Sequence, residues 1–303
     1  MTWTLMIHGG AGRLTPEMLT PEQHAGARAG LGRALDAGSA VLVGGGTALD
    51  AVEAAVRVLE DDPHFNSGRG AVFTHEGTIE LDAAIMDGRT RAAGAVAQVS
   101  ATRNPVGLAR AVMDDGRHVL LAGEGADAFS LEKGVEQAGE DWFATDERRR
   151  QFAELQASGD TFDVDMKYGT VGAVACDAAG HVAAATSTGG VTGKRWGRIG
   201  DSPVIGAGTW ADEACAVSCT GSGEFFLRVG VGHAIAARVK LLGEDVCTAA
   251  AAVMAEVTGL GGTGGVIVAG AGGDAAWLFT TPGMNRGRVD ASGRRQVAVY
   301  GDE

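Results

Sequence analysis

Four short blocks bring together hydroxyls, a guanidinium, a carboxylate and glycine backbone: Gly169-Thr-Val-Gly-Ala-Val174, Thr186-Ser-Thr-Gly-Gly190, Gly197-Arg-Ile-Gly-Asp-Ser-Pro203 and Ser218-Cys-Thr-Gly-Ser-Gly-Glu224. A threonine hydroxyl is a weak nucleophile unless a base sits beside it, and a free N-terminal amine on the same residue can be that base. The unperturbed pKa of such an amine, roughly 7.7 to 8.0, places it near its working state at neutral pH. Thr170 is internal, so it gains an amine only if the bond after Gly169 is cut. Taken alone, Thr170 reads as a β-branched residue opening a strand, and Thr188 as another strand residue. Arg198 and Asp201 read alone as a surface ion pair. Thr220 and Gly221 read as a turn ahead of a helix.

Commoner catalytic devices are missing from the sequence. There is no HExxH, no G-x-S-x-G elbow and no P-loop. The one G-x-G-x-x-G, at Gly259, Gly261 and Gly264, follows a helical stretch and precedes a strand, the reverse of a dinucleotide fingerprint. Seven histidines are scattered without a partner pattern. They nominate no Ser-His-Asp site, although triads are recognised by geometry and that reading stays open. Cys176, Cys215, Cys219 and Cys247 form no CxxC pair and read as reduced thiols in the core.

These blocks must be positioned by a scaffold of short elements. Leu5 to His8 reads as a buried strand ending in a Gly9-Gly10-Ala11-Gly12 turn. A helix is expected over His24 to Ala37, and another after Thr47, with Leu49, Val52, Val56 and Leu59 on one stripe, stopping at Asp62-Pro63. Ala71 to Thr74 and Thr78 to Met86 read as a hairpin, followed by a strand at Ala92 to Val99 and a helix from Asn104-Pro105 through Val112. Gly139 to Lys167 reads as a helical piece and an exposed charged linker. Thr170 to Cys176 and Val182 to Thr188 read as a hairpin joined at Asp177-Ala-Ala-Gly180, which returns the chain so that Thr170 and Thr188 can lie side by side. Helices are expected at Gly223 to Leu242 and Asp245 to Val257, and strands at Gly265 to Ala269, Ala275 to Phe279 and Gln296 to Tyr300. Strands in hairpins with helices in blocks suggest packed layers of antiparallel sheet and helix.

The whole-chain numbers agree with an ordered globular protein: 303 residues, 45% hydrophobic and 21% charged. Its 49 glycines against 6 prolines point to many tight turns and close backbone approaches. A formal net charge of -13 works against nucleic-acid binding. The start carries no basic and apolar leader pattern and no window holds 18 apolar residues in a row, so a cytoplasmic protein without membrane association is expected.

With His8-Gly-Gly-Ala-Gly12, His64-Phe-Asn-Ser-Gly-Arg-Gly70 and Leu81-Asp-Ala-Ala-Ile-Met-Asp-Gly88, the blocks resemble, over nearly the whole chain, the plant-type L-asparaginase and isoaspartyl peptidase family. The resemblance implies an α+β fold, an αββα four-layer sandwich of the N-terminal-nucleophile hydrolase type. It implies self-cleavage into residues 1–169 and 170–303 and a homodimer of such cut pairs. The substrate would be L-asparagine or a β-aspartyl dipeptide. By the same resemblance Thr170 is the nucleophile and Thr188 tunes its hydroxyl. Arg198 takes the α-carboxylate and Asp201 the α-amino group, while Thr220 and Gly221 form the oxyanion hole. Gly169 and Thr170 flank the cut, Gly10 helps it by close approach, and Asn66 lies in a loop, around Leu59, Glu60, Phe65 and Asn66 up to Arg69, held by a sodium ion through backbone carbonyls. No organic cofactor is implied. A glycosylasparaginase, a threonine aspartase, a non-processing homologue that binds aspartyl metabolites and a cofactor-binding module remain open as rival readings.

Overall fold

The structure, a computed structural model, describes residues 2–159 and 169–303. Residues 160–168, where the expected exposed linker falls, lie outside the described residues. The elements run β1 Thr4–Gly12, α1 Pro21–Val43, α2 Ala48–Glu60, β2 Leu81–Asp87, β3 Ala93–Val99, α3 Pro105–Asp115, β4 Leu120–Ala122, α4 Gly123–Glu132, α5 Glu140–Phe143 and α6 Asp146–Ser158. The second half holds β5 Val171–Cys176, β6 Val182–Thr188, β7 Thr209–Ala211, β8 Cys215–Gly221, α7 Gly223–Val229, α8 Val231–Ala237, a wide turn Arg238–Leu242, α9 Val246–Gly259, β9 Gly264–Gly270, β10 Ala275–Phe279, β11 Gly283–Asp290 and β12 Arg295–Tyr300.

Eight strands form one sheet in the order β12-β11-β1-β5-β6-β2-β3-β4, and four form a second in the order β10-β9-β8-β7. All pairings are antiparallel except β3 with β4. Strand alternation sends successive side chains to opposite faces, and three cores result. Leu5, Ile7, Ala173 and Ala185 pack under Leu31, Leu35, Val52, Val56 and Leu59 of α1 and α2. Met6, Val174, Cys176 and Ala184 meet Ala216, Ile267 and Ala269 between the sheets. Val217, Cys219, Val266 and Val268 face Ile235, Val253 and Val257 of α8 and α9. The fold is therefore the expected αββα sandwich. Each large aliphatic side chain so buried is worth about 1.5–3 kcal/mol, so the central strands β1, β5 and β6 are held from both faces.

Local chemistry explains the element ends. Thr20 caps α1 in a reciprocal capping box with Gln23, Pro21 opens it, and Gly44 ends it. Thr47 caps α2 by accepting from the Asp50 N–H. Among the described residues no helix is long and apolar enough to cross a membrane.

Several elements differ from the sequence expectation. The Gly9 to Gly12 stretch is not a turn: β1 runs through it with a register shift against β11 between His8 and Ala11. Of the hairpin expected at residues 71–86, the second strand is present as β2 from Leu81, but its first strand is not formed and residues 74–78 make only a turn, in which the Thr74 N–H donates to the Thr78 carbonyl. The backbone of residues 71–75 is committed elsewhere, with Val72 N–H on Asn66 Oδ1 and His75 N–H on the Lys194 carbonyl. The expected helix over Gly223 to Leu242 breaks at Gly230, whose φ is +64°. The next N–H groups, of Gly232 and His233, bond back to the Ala207 and Gly206 carbonyls. Cys247 is exposed rather than in the core.

Candidate active site

The β5–β6 hairpin brings the two threonines together. Thr170 Oγ1 donates to Thr188 Oγ1 at 2.9 Å, and Thr188 Oγ1 also accepts the Gly190 N–H at 3.0 Å. One residue upstream, Gly169 meets the bulged end of β1. The bulge is the reason: β1 pairs with β5 only from Thr4 to His8, and beyond it Gly10, at φ +103°, presents a face without a side chain. A Cβ on Gly10 would stand 2.5 Å from the Gly169 nitrogen and 2.8 Å from its carbonyl carbon, so glycine is required for this approach.

β8 supplies the opposite wall. Its alternation sends Cys215, Val217 and Cys219 to the α8/α9 core and leaves Ser218 and Thr220 facing the first sheet. Thr220 Oγ1 accepts the Ala11 N–H at 3.4 Å and lies 3.1 Å from where a Cβ on Gly169 would be. Gly221 follows at φ +146°, packed against Gly264 so closely that a Cβ would come 2.5 Å from its Cα.

Arg198 and Asp201 are not partners in a surface ion pair. Arg198 Nε donates to Glu224 Oε1 at 2.9 Å, which leaves its two terminal nitrogens for another acceptor. Arg198 Nη2 and Asp201 Oδ1 converge on Gly223, 3.0 and 2.8 Å from its would-be Cβ. Asp201 is 4% exposed, and its Oδ2 is buried without a hydrogen-bond partner among the described residues. Burial pushes its pKa up to about 7, against the pull of the Arg198 cation. An unpaired buried carboxylate oxygen beside a half-committed guanidinium suits a ligand bearing an ammonium and a carboxylate on one carbon.

Asn66 does not hydrogen-bond the Gly169–Thr170 segment. It staples the strap after Thr188: its Nδ2 donates to the Gly190 carbonyl at 2.7 Å and its carbonyl accepts the Gly189 N–H at 3.1 Å. Leu59 and Glu60 end α2 rather than standing in the loop, and their carbonyls accept the Asp62 and Arg69 N–H groups. The carbonyls of Phe65 and Pro63 converge on Gly70, 2.8 and 2.6 Å from its would-be Cβ, at φ +98°. That oxygen-lined cradle is of the kind a hard cation accepts, so the loop fits a sodium ion in part, with Phe65 the best placed of the expected ligands.

Sequence reasoning passed over four other side chains here. His8 lies fully buried with Nδ1 3.0 Å from the Thr170 carbonyl and Nε2 2.9 Å from Ser218 Oγ. Glu224 pairs with Arg198. Asp82 faces Thr188 across the β2–β6 register, fully buried, its pKa raised by burial against the Lys194 charge. Lys194, also buried, donates to the Glu80 carbonyl at 2.9 Å. His8, Asp82, Ser218 and Glu224 stand inside blocks already singled out, so their presence there was the available signal; Lys194 carried none.

Comparison with known proteins places the whole chain in one family. The family described as Asparaginase matches residues 1–299. An isoaspartyl peptidase of Salmonella typhimurium is 44% identical, with 98% of each chain covered. An isoaspartyl peptidase/L-asparaginase of Mus musculus is 40% identical over 97% of this chain and 90% of its own. A plant-type L-asparaginase of Thermococcus kodakarensis is 40% identical over 93% and 94%. The chain belongs to the asparaginase family of N-terminal-nucleophile hydrolases, and it is an enzyme of that hydrolase class.

Proposed function

We propose that the chain cuts itself between Gly169 and Thr170, into residues 1–169 and 170–303, and that Thr170 then hydrolyses L-asparagine and N-terminal β-aspartyl peptides. The observation that carries this is the Thr170 hydroxyl, bonded to Thr188 Oγ1 at 2.9 Å while Gly169 is wedged between Gly10 and Thr220. In the first step Thr170 Oγ1 bonds to the Gly169 carbonyl carbon, and the proton it loses goes to the departing Thr170 nitrogen. Water then hydrolyses the resulting ester, leaving a Gly169 carboxylate and a free Thr170 amine. In turnover that amine takes the Oγ1 proton as Oγ1 attacks the substrate's side-chain carbonyl carbon. The Thr220 hydroxyl and the Gly221 N–H meet the developing oxyanion, a contribution typically worth about 100- to 1000-fold in rate. Ammonia or the peptide amine leaves with the proton, and water cleaves the aspartyl ester.

Arg198 binds the α-carboxylate and Asp201 the α-ammonium in this reading, which the orphaned Asp201 Oδ2 supports. The loop through Phe65 and Pro63 would hold a structural sodium, whose chemistry is to rigidify the segment that carries Asn66. The working unit is proposed as a cytoplasmic homodimer of cut pairs without an organic cofactor.

The test is turnover of L-asparagine, β-Asp-Leu and a glycosylated asparagine by wild type and Arg198→Lys. Wild type is expected to hydrolyse the first two. Losing the guanidinium fork is expected to raise KM about 30-fold, the cost of roughly 2 kcal/mol of charged hydrogen bonding. Turnover of the glycosylated substrate alone would overturn the proposed specificity.

A further inference from the structure

We propose that His8 is a positioning residue for the nucleophile: its Nδ1–H holds the Thr170 carbonyl, and a row of buried hydroxyls entering through Ser218 fixes the tautomer that allows this. The inference rests on Thr170 being the nucleophile. A carbonyl offers only lone pairs, so the His8 Nδ1 at 3.0 Å from the Thr170 oxygen must carry the hydrogen. Burial lowers the His8 pKa to about 3, so the ring is neutral and has one N–H. Nε2 is therefore an acceptor, and Ser218 Oγ, at 2.9 Å, must donate to it.

Each hydroxyl has a single proton, and the choice propagates. Having donated to His8, Ser218 Oγ accepts from Thr186 Oγ1 at 2.7 Å, which accepts from Thr209 Oγ1 at 2.7 Å. The competing acceptors are the Ala185 carbonyl for Ser218 and the Gly208 carbonyl for Thr186, both at 3.2 Å, and the Ser202 carbonyl for Thr209 at 2.9 Å. The row toward His8 is the shorter set. All four side chains are fully buried, where a misdirected proton leaves a polar group unpaired at a cost of about 1–3 kcal/mol.

The backbone is cut to fit this row. A Cβ on Gly172, two residues after the nucleophile, would stand 2.1 Å from Ser218 Oγ and 2.4 Å from His8 Nε2. Only glycine lets imidazole and hydroxyl meet across β5. Holding the Thr170 carbonyl sets the direction of the Thr170 main chain and hence where its nitrogen and Oγ1 stand relative to Thr188. His8 hydrogen-bonds neither Arg198 nor Asp201, and the row meets the clamp loop at its far end, where Thr209 Oγ1 lies 2.9 Å from the Ser202 carbonyl, so a change at His8 itself should leave substrate affinity nearly unaltered.

Three variants separate a positioning role from a merely structural one: His8→Asn, whose amide N–H can take the Nδ1 place; His8→Gln, whose amide nitrogen falls at Nε2 instead; and His8→Leu. Each is assayed on the fraction shown by mass to be cut, with melting temperature measured in parallel. We expect His8→Leu and His8→Gln to lose about 100-fold in kcat, the scale of a misplacement near 1 Å, with KM within about threefold. His8→Asn is expected to stay within about fivefold. If His8→Leu does not fold, the Asn and Gln pair decides alone. Equal losses in those two, or a KM that moves as far as kcat, overturn the role of His8. A wild type that is neither cut nor active overturns the Thr170 reading instead, whatever the His8 variants do.

Discussion

A buried carboxyl that has lost its hydration keeps its proton to higher pH unless a cation compensates, and Asp201 shows the first effect exceeding the second. With its pKa near 7, the free enzyme must lose that proton before an α-ammonium can bind, and the Thr170 amine of the cut chain must lose its own proton before it can act as base. Both requirements fail as pH falls. We therefore expect kcat/KM, which reports the free enzyme, to decline below pH 7 with a slope approaching two decades per unit. In kcat the slope should approach one, because the bound ammonium keeps Asp201 ionised. Asp201→Asn should remove one proton from the kcat/KM limb and raise KM; a wild-type limb of slope one would contradict the assignment. At this scale the sequence was informative about residue types but not about their partners. An Arg-x-x-Asp spacing looks the same whether the arginine pairs with the aspartate or, as here, with Glu224. The reach of Asp82 toward Thr188 depends on a β2–β6 register that no local pattern encodes.

Between residues and the whole stand the bulged strand β1 and the hairpin β5–β6, and their meeting sets up the candidate cut. Alanine at Gly10 would need φ +103°, outside the comfortable range of an L side chain, and would press its Cβ onto the Gly169 backbone. We expect Gly10→Ala to slow cleavage at least about tenfold while costing on the order of 1–3 kcal/mol in stability. Time-resolved gel analysis reads the first and urea unfolding the second; unaltered cleavage in a folded variant would exclude the contact from the reaction. The hairpin was legible because two alternating runs flank Asp177-Ala-Ala-Gly180, and α2 because Thr47 and Pro63 bracket an apolar stripe. β8 was not, since Cys215-Ala-Val-Ser-Cys-Thr-Gly alternates small residues whose polarity differs little. β11 was hidden by Asn285, Arg286 and Arg288, yet Arg286 is buried under Trp277 and Phe279, with its guanidinium 5.2 and 4.8 Å from their ring centroids.

Over the whole molecule, the layered packing leaves a further raised carboxyl besides Asp201 and Asp82, Glu60, at about 8 by burial, with Oε1 accepting the Val106 N–H at 2.9 Å. Unfolded carboxyls titrate near about 4. The folded protein thus keeps protons at Glu60 and Asp201 that the unfolded chain has released, and stability is lost as pH rises from about 4 through 7 and 8. His8, held neutral where the unfolded imidazole is still protonated, opposes this up to about pH 6.5, so the melting temperature should fall chiefly between about pH 6.5 and pH 9. Glu60→Gln, which keeps the acceptor without a charge, should melt roughly 3–6 °C above wild type at pH 9 and nearly level with it at pH 5; parallel curves would contradict a protonated Glu60. The four-layer arrangement itself came to the sequence reading through family resemblance, since which sheet faces which helix depends on contacts far apart in the chain. Every catalytic assignment meets at one bond. Intact-mass measurement of freshly purified and aged protein should show two chains, residues 1–169 and 170–303, replacing the single precursor, with Thr170→Ala remaining whole and inert. A wild type that stays one uncut chain while hydrolysing asparagine would contradict the account.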